Sequence, residues 1–245
     1  MIVSQAFRAQ ARSLTGDAVL LAVVCAAFVM ALSLATSVPA DFADAPIGAR
    51  QQFLAPFDIA IATYGASIAA VYGSFRYTVD RRNGVVAQRL TQQPRWASLV
   101  ARVPAAAFGG ALVAVSAVVG GHVALAVSIG GGSVDWPAAV ASVALGAAAG
   151  LWGLGVGLMV QQHLVALFVA PVTLGIATVV SIFWAAGAVW FPLPAMLSTL
   201  GFDISEIGFR DAAVLDRPIA ATLAAMWILL ILVGGATSFL RRDVK

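Results

Sequence analysis

Charge is the scarcest commodity in this chain. Only 10% of its 245 residues are Asp, Glu, Lys or Arg, where a soluble domain carries roughly 25%. With 61% hydrophobic residues and a mean hydropathy of +0.96, the chain cannot surround a core with a charged shell, so it reads as an integral membrane protein. Cysteine is nearly absent. The one present, Cys25, lies inside an apolar run, which excludes an intrachain disulfide and a cysteine-built zinc site. Lysine is nearly absent too: Lys245 is the only one among fourteen cations, the rest being arginine. Together with abundant Ala, Val and Gly, that composition fits a high-GC bacterial genome. The cations flank apolar runs and form no stripe on a soluble face. The net charge of +3 is therefore no argument for nucleic acid.

What is present is a series of apolar runs about long enough to cross a bilayer, each needing roughly 20 residues. Residues 1–16 place Ile2, Val3, Ala6 and Phe7 on one helical face, with Gln5, Arg8 and Arg12 elsewhere. This predicts an amphipathic helix lying in the membrane interface. Arg8 and Arg12 followed by an apolar run and Val38-Pro39-Ala40 resemble a signal peptide. The run from Ala18 to Val38 exceeds the roughly 7–15 residues of a signal h-region, however, and is expected to be a retained first span. Further spans are expected at 53–75, 103–128, 137–160, 164–188 and 218–240. Pro137 suits the first turn of the fourth, and Pro171 is expected to kink the fifth. The 39–52 segment and the Gly130-Gly131-Gly132-Ser133 run read as turns. Residues 189–217 are too apolar for an aqueous loop and too acidic for a span. They read as short outer-face helices, dipping into or lying on the membrane. The fold class is thus an all-α membrane protein of six transmembrane helices.

Charge sets the orientation. Eleven of the fourteen cations fall in the N-terminal tail, the 76–102 segment and the C-terminal tail; only Arg50, Arg210 and Arg217 fall on the other side. Cytoplasmic loops hold the excess of Arg and Lys, so both termini are cytoplasmic.

Few residues can carry chemistry. His122 and His163 are expected at opposite membrane faces, too far apart for a zinc site. No serine sits in a G-x-S-x-G frame, which leaves no hydrolase. Gly153-Leu154-Gly155-Val156-Gly157 lacks the G-x-x-x-x-G-K-[ST] pattern of a nucleotide loop. Gly146/Gly150 and Gly153/Gly157 have instead the four-residue spacing that lets helices approach closely, inside the fold or at a dimer interface. Asp58 is an acid near the outer end of a span, where charge is costly. A hydrated interfacial acid capped by Arg50 or Arg210 and a polar group facing a substrate path are both open readings. Asp58, Gly65 and Tyr72 are seven residues apart and share one helical face.

The segment from Arg76 to Arg102 is the only long cationic stretch between apolar runs. Val79, Val86 and Leu90 fall at helical spacing between arginines, and Pro94 disfavours helix at Gln93. A short cytosolic amphipathic helix followed by a breaker is predicted. Six spans, an N-terminal interfacial helix, this helix between the second and third spans, and short outer helices between the fifth and sixth occur in order. In that order, and in the run Asp80-Arg81-Arg82-Asn83-Gly84-Val85-Val86-Ala87-Gln88-Arg89-Leu90-Thr91-Gln92-Gln93-Pro94-Arg95, the chain resembles an ABC-2 type transporter permease. Asp80 stands where the family more often has Glu, and Val85 where Thr is common.

The resemblance implies a transport subunit rather than an enzyme. ATP and Mg would be bound by a dimer of separate ATPase subunits, and the chain itself would need no cofactor. The coupling helix, with Asp80, Arg81, Arg82, Gly84, Val85, Val86, Arg89 and Leu90, would dock that partner. A second permease subunit, identical or different, would complete a pathway through the bacterial inner membrane. The cargo implied is a drug-like, lipid or peptide compound of apolar or amphipathic character, as in multidrug efflux. Phe57, Asp58, Tyr64, Gly65, Tyr72, Phe183 and Trp184 are the candidate lining residues. The alternative is a non-transporting membrane interaction or immunity protein whose basic loop binds anionic lipid or a cytosolic partner. The predicted orientation has a direct test. A reporter fused at Asp135 is expected to behave as extracytoplasmic, and a cytoplasmic signal there would overturn the orientation.

Overall fold

The computed structural model describes residues 2–35, 46–130, 135–209 and 215–241, and all regular structure among them is helical. The expected cleavage-like site at Val38-Pro39-Ala40, residues 39–45 of the expected 39–52 turn, the Gly131-Gly132-Ser133 turn, Arg210 and the last four residues lie outside the described residues; from Ile47 onward the 39–52 segment is helix and not a turn.

The chain begins with α1 (Ile2–Thr15). After a break at Gly16 and Asp17 it bends by 53° into α2 (Ala18–Ala35). The expected N-terminal segment is a helix, and its enclosed face is Ala6 and Gln10, with Ala6 clustered with Ala97 and Ala101; Phe7 is exposed. Next comes α3 (Ile47–Arg82), 36 residues and the longest helix. It was expected to end at 75 but runs through the first part of the basic segment. Gly84, at φ 73°, turns the chain in the left-handed region that favours glycine. The short helix α4 (Val85–Leu90) follows. Pro94 then adopts an extended conformation and starts α5 (Arg95–Ile129). The basic segment is therefore three pieces: the end of α3, α4, and the first turns of α5. Val79 and Val86 lie on different helices rather than on one stripe, because the Asn83–Gly84 break separates them.

Beyond α5, α6 (Trp136–Val160) starts with Asp135 as its N-cap and Pro137 in its first turn, where the missing N–H costs little. Gln161 and Gln162 make a tight link to α7 (His163–Phe183). Pro171 sits within an unbroken α7. The expected fifth span stops at Trp184, after which α8 (Ala185–Ala188) is a separate short turn. Then come α9 (Pro192–Leu200), a 3-10 turn at Ile204–Ile207, and α10 (Arg217–Arg241).

Four helices, α5, α6, α7 and α10, are long and apolar enough to cross a membrane, or five spans if α1 and α2 are one bent span. Of the six expected spans, the second is not among them. Asp58, Tyr64, Ser67, Tyr72 and Ser74 dilute the apolar character of α3. The 189–217 segment also differs from expectation. Residues 192–198 of α9 are all buried, and Leu193, Ala195, Met196 and Leu197 belong to the main core. Its apolar content fills the bundle and does not lie on a surface.

At the centre is α6, whose glycines meet three neighbouring helices. A Cβ on Gly150 would run into the Ala106 carbonyl of α5, one on Gly153 into the Ala70 carbonyl of α3, and one on Gly157 would sit 2.8 Å from the Ser74 carbonyl. On the far side, Gly155 would place it 2.8 Å from the Ile231 carbonyl of α10. The four-residue glycine spacing thus serves packing inside the fold. Without a hydrophobic drive between helices in lipid, such backbone contact is a main source of association. Gly153→Ala is expected to cost about 1–3 kcal/mol through overpacking. Gly175→Ala, on α7 where nothing lies within 4 Å, should be tolerated. Thermal denaturation of the two variants in detergent checks the pair; equal melting temperatures would refute the close-contact account.

Candidate functional site

Buried charge concentrates at one end of the bundle, where α1 meets α2 and where α3, α4 and α5 join. Asp17 has two duties. Its Oδ1 accepts from the backbone N–H groups of Val19 and Leu20, both at 3.1 Å, capping α2. Its Oδ2 accepts from Arg76 Nε at 2.5 Å and from the Tyr72 hydroxyl at 3.4 Å. Arg76 also donates through Nη1 to Asp80, one turn further along α3. The other oxygen of Asp80 accepts from Arg102 Nη1 of α5 at 3.3 Å. The guanidinium of Arg102 lies 5.2 Å from the centre of the Tyr77 ring, within reach of the attraction between a cation and an aromatic face. Among the described residues, its Nε and Nη2 have no hydrogen-bond partner. The chain Asp17–Arg76–Asp80–Arg102 alternates in sign and links the α1–α2 elbow to α3 and α5.

This arrangement explains why α3 outruns its predicted end. Arg76 and Asp80 look like loop residues in sequence, but each is neutralised by a partner. Buried charge is tolerated when paired and hydrogen-bonded. Arg89 of α4 extends the tie by donating to Gln10 Oε1 of α1.

The eight residues expected to dock a partner fall into two groups. Asp80 and Val86 are buried, so they hold the segment to the bundle and offer no surface. Val86 packs in a cluster with Tyr77, Leu158 and Phe239. Arg82 and Gly84 are exposed, and Arg81, Val85, Arg89 and Leu90 are partly so. Arg82 donates to His163 Nε2 at 2.8 Å. Arginine has no acceptor atom, so Nε2 accepts.

The candidate lining residues are not brought onto one surface. Phe57 and Tyr72 are buried. Gly65 packs on Ala114 and Ala117, and Tyr72 sits over Gly109. At Gly65 and Tyr72 the Asp58–Gly65–Tyr72 face is thus packed against α5. Tyr64, Phe183 and Trp184 are exposed. Asp58 is half-buried at the opposite end, in a cavity of about 350 Å³ shared with Asp135, Asp203, Glu206 and Arg217. Its expected cap, Arg50 or Arg210, falls outside the described side chains; Arg217 is the cation that lines this cavity. Hydrogen bonds from the Ser205 side chain and backbone hold the Asp203 carboxyl below its usual range. Burial, then Asp203 and Asp58, pushes Glu206 up. No group of three metal-ligating side chains occurs among the described residues. His122 bonds the Val118 carbonyl of its own helix.

Sequence reasoning missed Asp17 and the partnership of His163 with Arg82. Asp17 had a signal: a lone acid just before an apolar run, in the place of an N-cap. No protein-family model matches this chain, and no curated protein matches its sequence.

Asp80→Asn would strand Arg102 while leaving Arg76 paired to Asp17. Breaking a buried pair from one side typically costs about 3–5 kcal/mol, and a loss of that size is expected. Adding Arg102→Met removes the stranded charge and should recover most of it. Unfolding in mixed micelles measures both. A double variant as weak as the sum of the singles would show that the two side chains are not coupled.

Proposed function

We propose that the chain is the permease subunit of an ATP-driven exporter, with six spans and both termini cytoplasmic, working with separate ATPase subunits and a second permease. The supporting observation is α4. It is a six-residue helix between two long helices, at the end of the bundle where the cations gather. A buried Val86 anchors it, and Gln88 is left exposed. Gly84 and Pro94 isolate it from α3 and α5, so it can be pushed as a unit. Its tie to Gln10, together with the charge chain behind it, gives a mechanical route from α4 to the α1–α2 elbow and to the long helices. That is what a subunit lacking its own nucleotide loop needs in order to be driven from outside. Counting α3 as a span beside α1–α2, α5, α6, α7 and α10 gives the six. The pairing of Arg76 with Asp17 and Asp80 is what would let that helix enter the membrane interface. The cargo fitting so little buried charge is apolar or amphipathic.

The structure refines the experiment. Charge at Val86 would unfold the site, so the informative changes lie on the outward side of α4. The affinity-tagged chain, purified from its native membrane, is expected to bring down a Walker-type ATPase. Val85→Asp with Gln88→Asp should cut that recovery at least tenfold while the chain keeps its chromatographic profile. Recovery of no ATPase by the unmutated chain would sink the transporter reading in favour of a non-transporting membrane protein.

A further inference from the structure

Beside the α6–α7 link is an open cavity of about 530 Å³ that the described residues of α4 do not line. It is lined by Thr78, Arg81 and Arg82 from the end of α3, and by Gln161, Gln162 and His163 from the link. No α4 residue and no acid is among the described residues lining it. The nearest carboxylate on α3, Asp80, is turned inward to Arg76 and Arg102. The bond from Arg82 to His163 removes one N–H but cancels no charge, because the accepting nitrogen is neutral. Among the described residues, the cavity therefore holds two cationic charges with no acid beside them, and the side-chain amides of Gln161 and Gln162 line it with them. Gln161 adopts a left-handed conformation, φ 62°, which non-glycine residues seldom adopt. This turn starts α7 directly beside α3, where the ring of Phe75 lies 6.4 Å from that of His163.

What leaves the cavity matters equally. Leu164 lines it and is 62% exposed, and Phe168 and Val172, at successive four-residue steps of α7, are 65% and 61% exposed. This apolar track runs along one of the most hydrophobic of the candidate spans and starts at the cationic mouth.

We propose that this cavity binds the headgroup of an anionic phospholipid, with its acyl chains laid along Leu164, Phe168 and Val172. A free anion would use the charges but leave the adjoining apolar track without a purpose. A lipid uses both, and basic cavities between membrane helices on the cytoplasmic side are suited to such headgroups. The inference rests on the cationic end facing the cytoplasmic leaflet, but not on an ATPase partner.

The test uses the full-length chain in neutral detergent micelles, without any partner subunit. The micelles are doped with phosphatidylglycerol and phosphatidylcholine of identical tails, and native mass spectrometry counts the adducts. Preferential retention of phosphatidylglycerol is expected. Arg81→Gln with Arg82→Gln should lower that preference about fivefold per arginine, the weight of one near-surface cation. Arg8→Gln with Arg12→Gln, on the same side but outside the cavity, should leave it unchanged, and Phe168→Ala should weaken both lipids alike. Equal losses from the two arginine pairs would reduce the effect to a diffuse field and overturn the site. Displacement of the lipid by inorganic phosphate at comparable concentration would overturn the lipid as ligand. On the unmutated chain, an anionic lipid with a photoreactive headgroup should label the peptide containing Gln161 to Leu164; labelling only elsewhere would overturn the proposal without any question of misfolding.

Discussion

The backbone contacts of α6 are the constraint on which the rest of the bundle depends. Where glycine lets two helices touch main chain to main chain, there is no side chain whose rotamer can absorb a shift. Gly150 fixes α5, Gly153 and Gly157 fix α3, and Gly155 fixes α10. The depths of α3 and α5 relative to each other are thus set through a common neighbour. That depth brings Arg76 and Asp80 of α3 level with Arg102 of α5 and with Asp17 at the head of α2. Bringing four charges into one buried chain requires an accurate register, because a displaced arginine would be left desolvated and unpaired. The glycines supply the register, and the charges supply the penalty for losing it.

The same geometry accounts for how the basic segment is divided. Arginines close to one another in sequence have different work. Arg76 and Arg102 are internal and hold helices together. Arg89 ties α4 to α1. Arg81 and Arg82 follow Asp80 at once, but helical rotation turns Arg82 toward His163 and the α6–α7 link. A positive excess that topology alone would require is thereby divided among arginines that hold helices together, one that ties α4 to α1, and two that line the cavity at the α6–α7 link.

Much of this was legible from composition and punctuation. Apolar runs of spanning length became helices, Pro137 marked the first turn of α6, and Pro94 marked the break before α5. The spacing of Gly146, Gly150, Gly153 and Gly157 announced close helix contact. What could not be read was pairing across long sequence separations. Arg76 and Asp80 looked like the end of a span because nothing local shows that Asp17, 59 residues earlier than Arg76, will meet them. The apolar content of α9 announced burial, but a membrane surface and a protein core look alike in sequence when lipid is as apolar as leucine. The seven-residue spacing of Asp58, Gly65 and Tyr72 correctly put them on one face. It said nothing of what covers that face, and small residues of α5 do.

The two ends of the molecule also differ in how they manage charge, and the contrast bears on mechanism. At the Asp58 end, acids outnumber cations around an open cavity; solvent reaches them, so no fixed pairing is required. At the Asp17 end two acids and two arginines are closed off in one chain of contacts shared among the elbow, α3 and α5. In the proposed transporter, a force applied to α4 would meet this second end first. Solvated charges can rearrange at little cost and transmit little. Desolvated pairs either stay intact, moving their helices together, or exchange partners in a discrete step, since a half-separated pair is the costly state. Arg76 already contacts two acids and Asp80 two arginines, so an exchange needs no fully unpaired intermediate. In the proposed transporter, the Asp17 end would convert a push on a six-residue helix into a concerted displacement of the elbow against α3 and α5, while the α6 glycines keep the middle of the bundle in register.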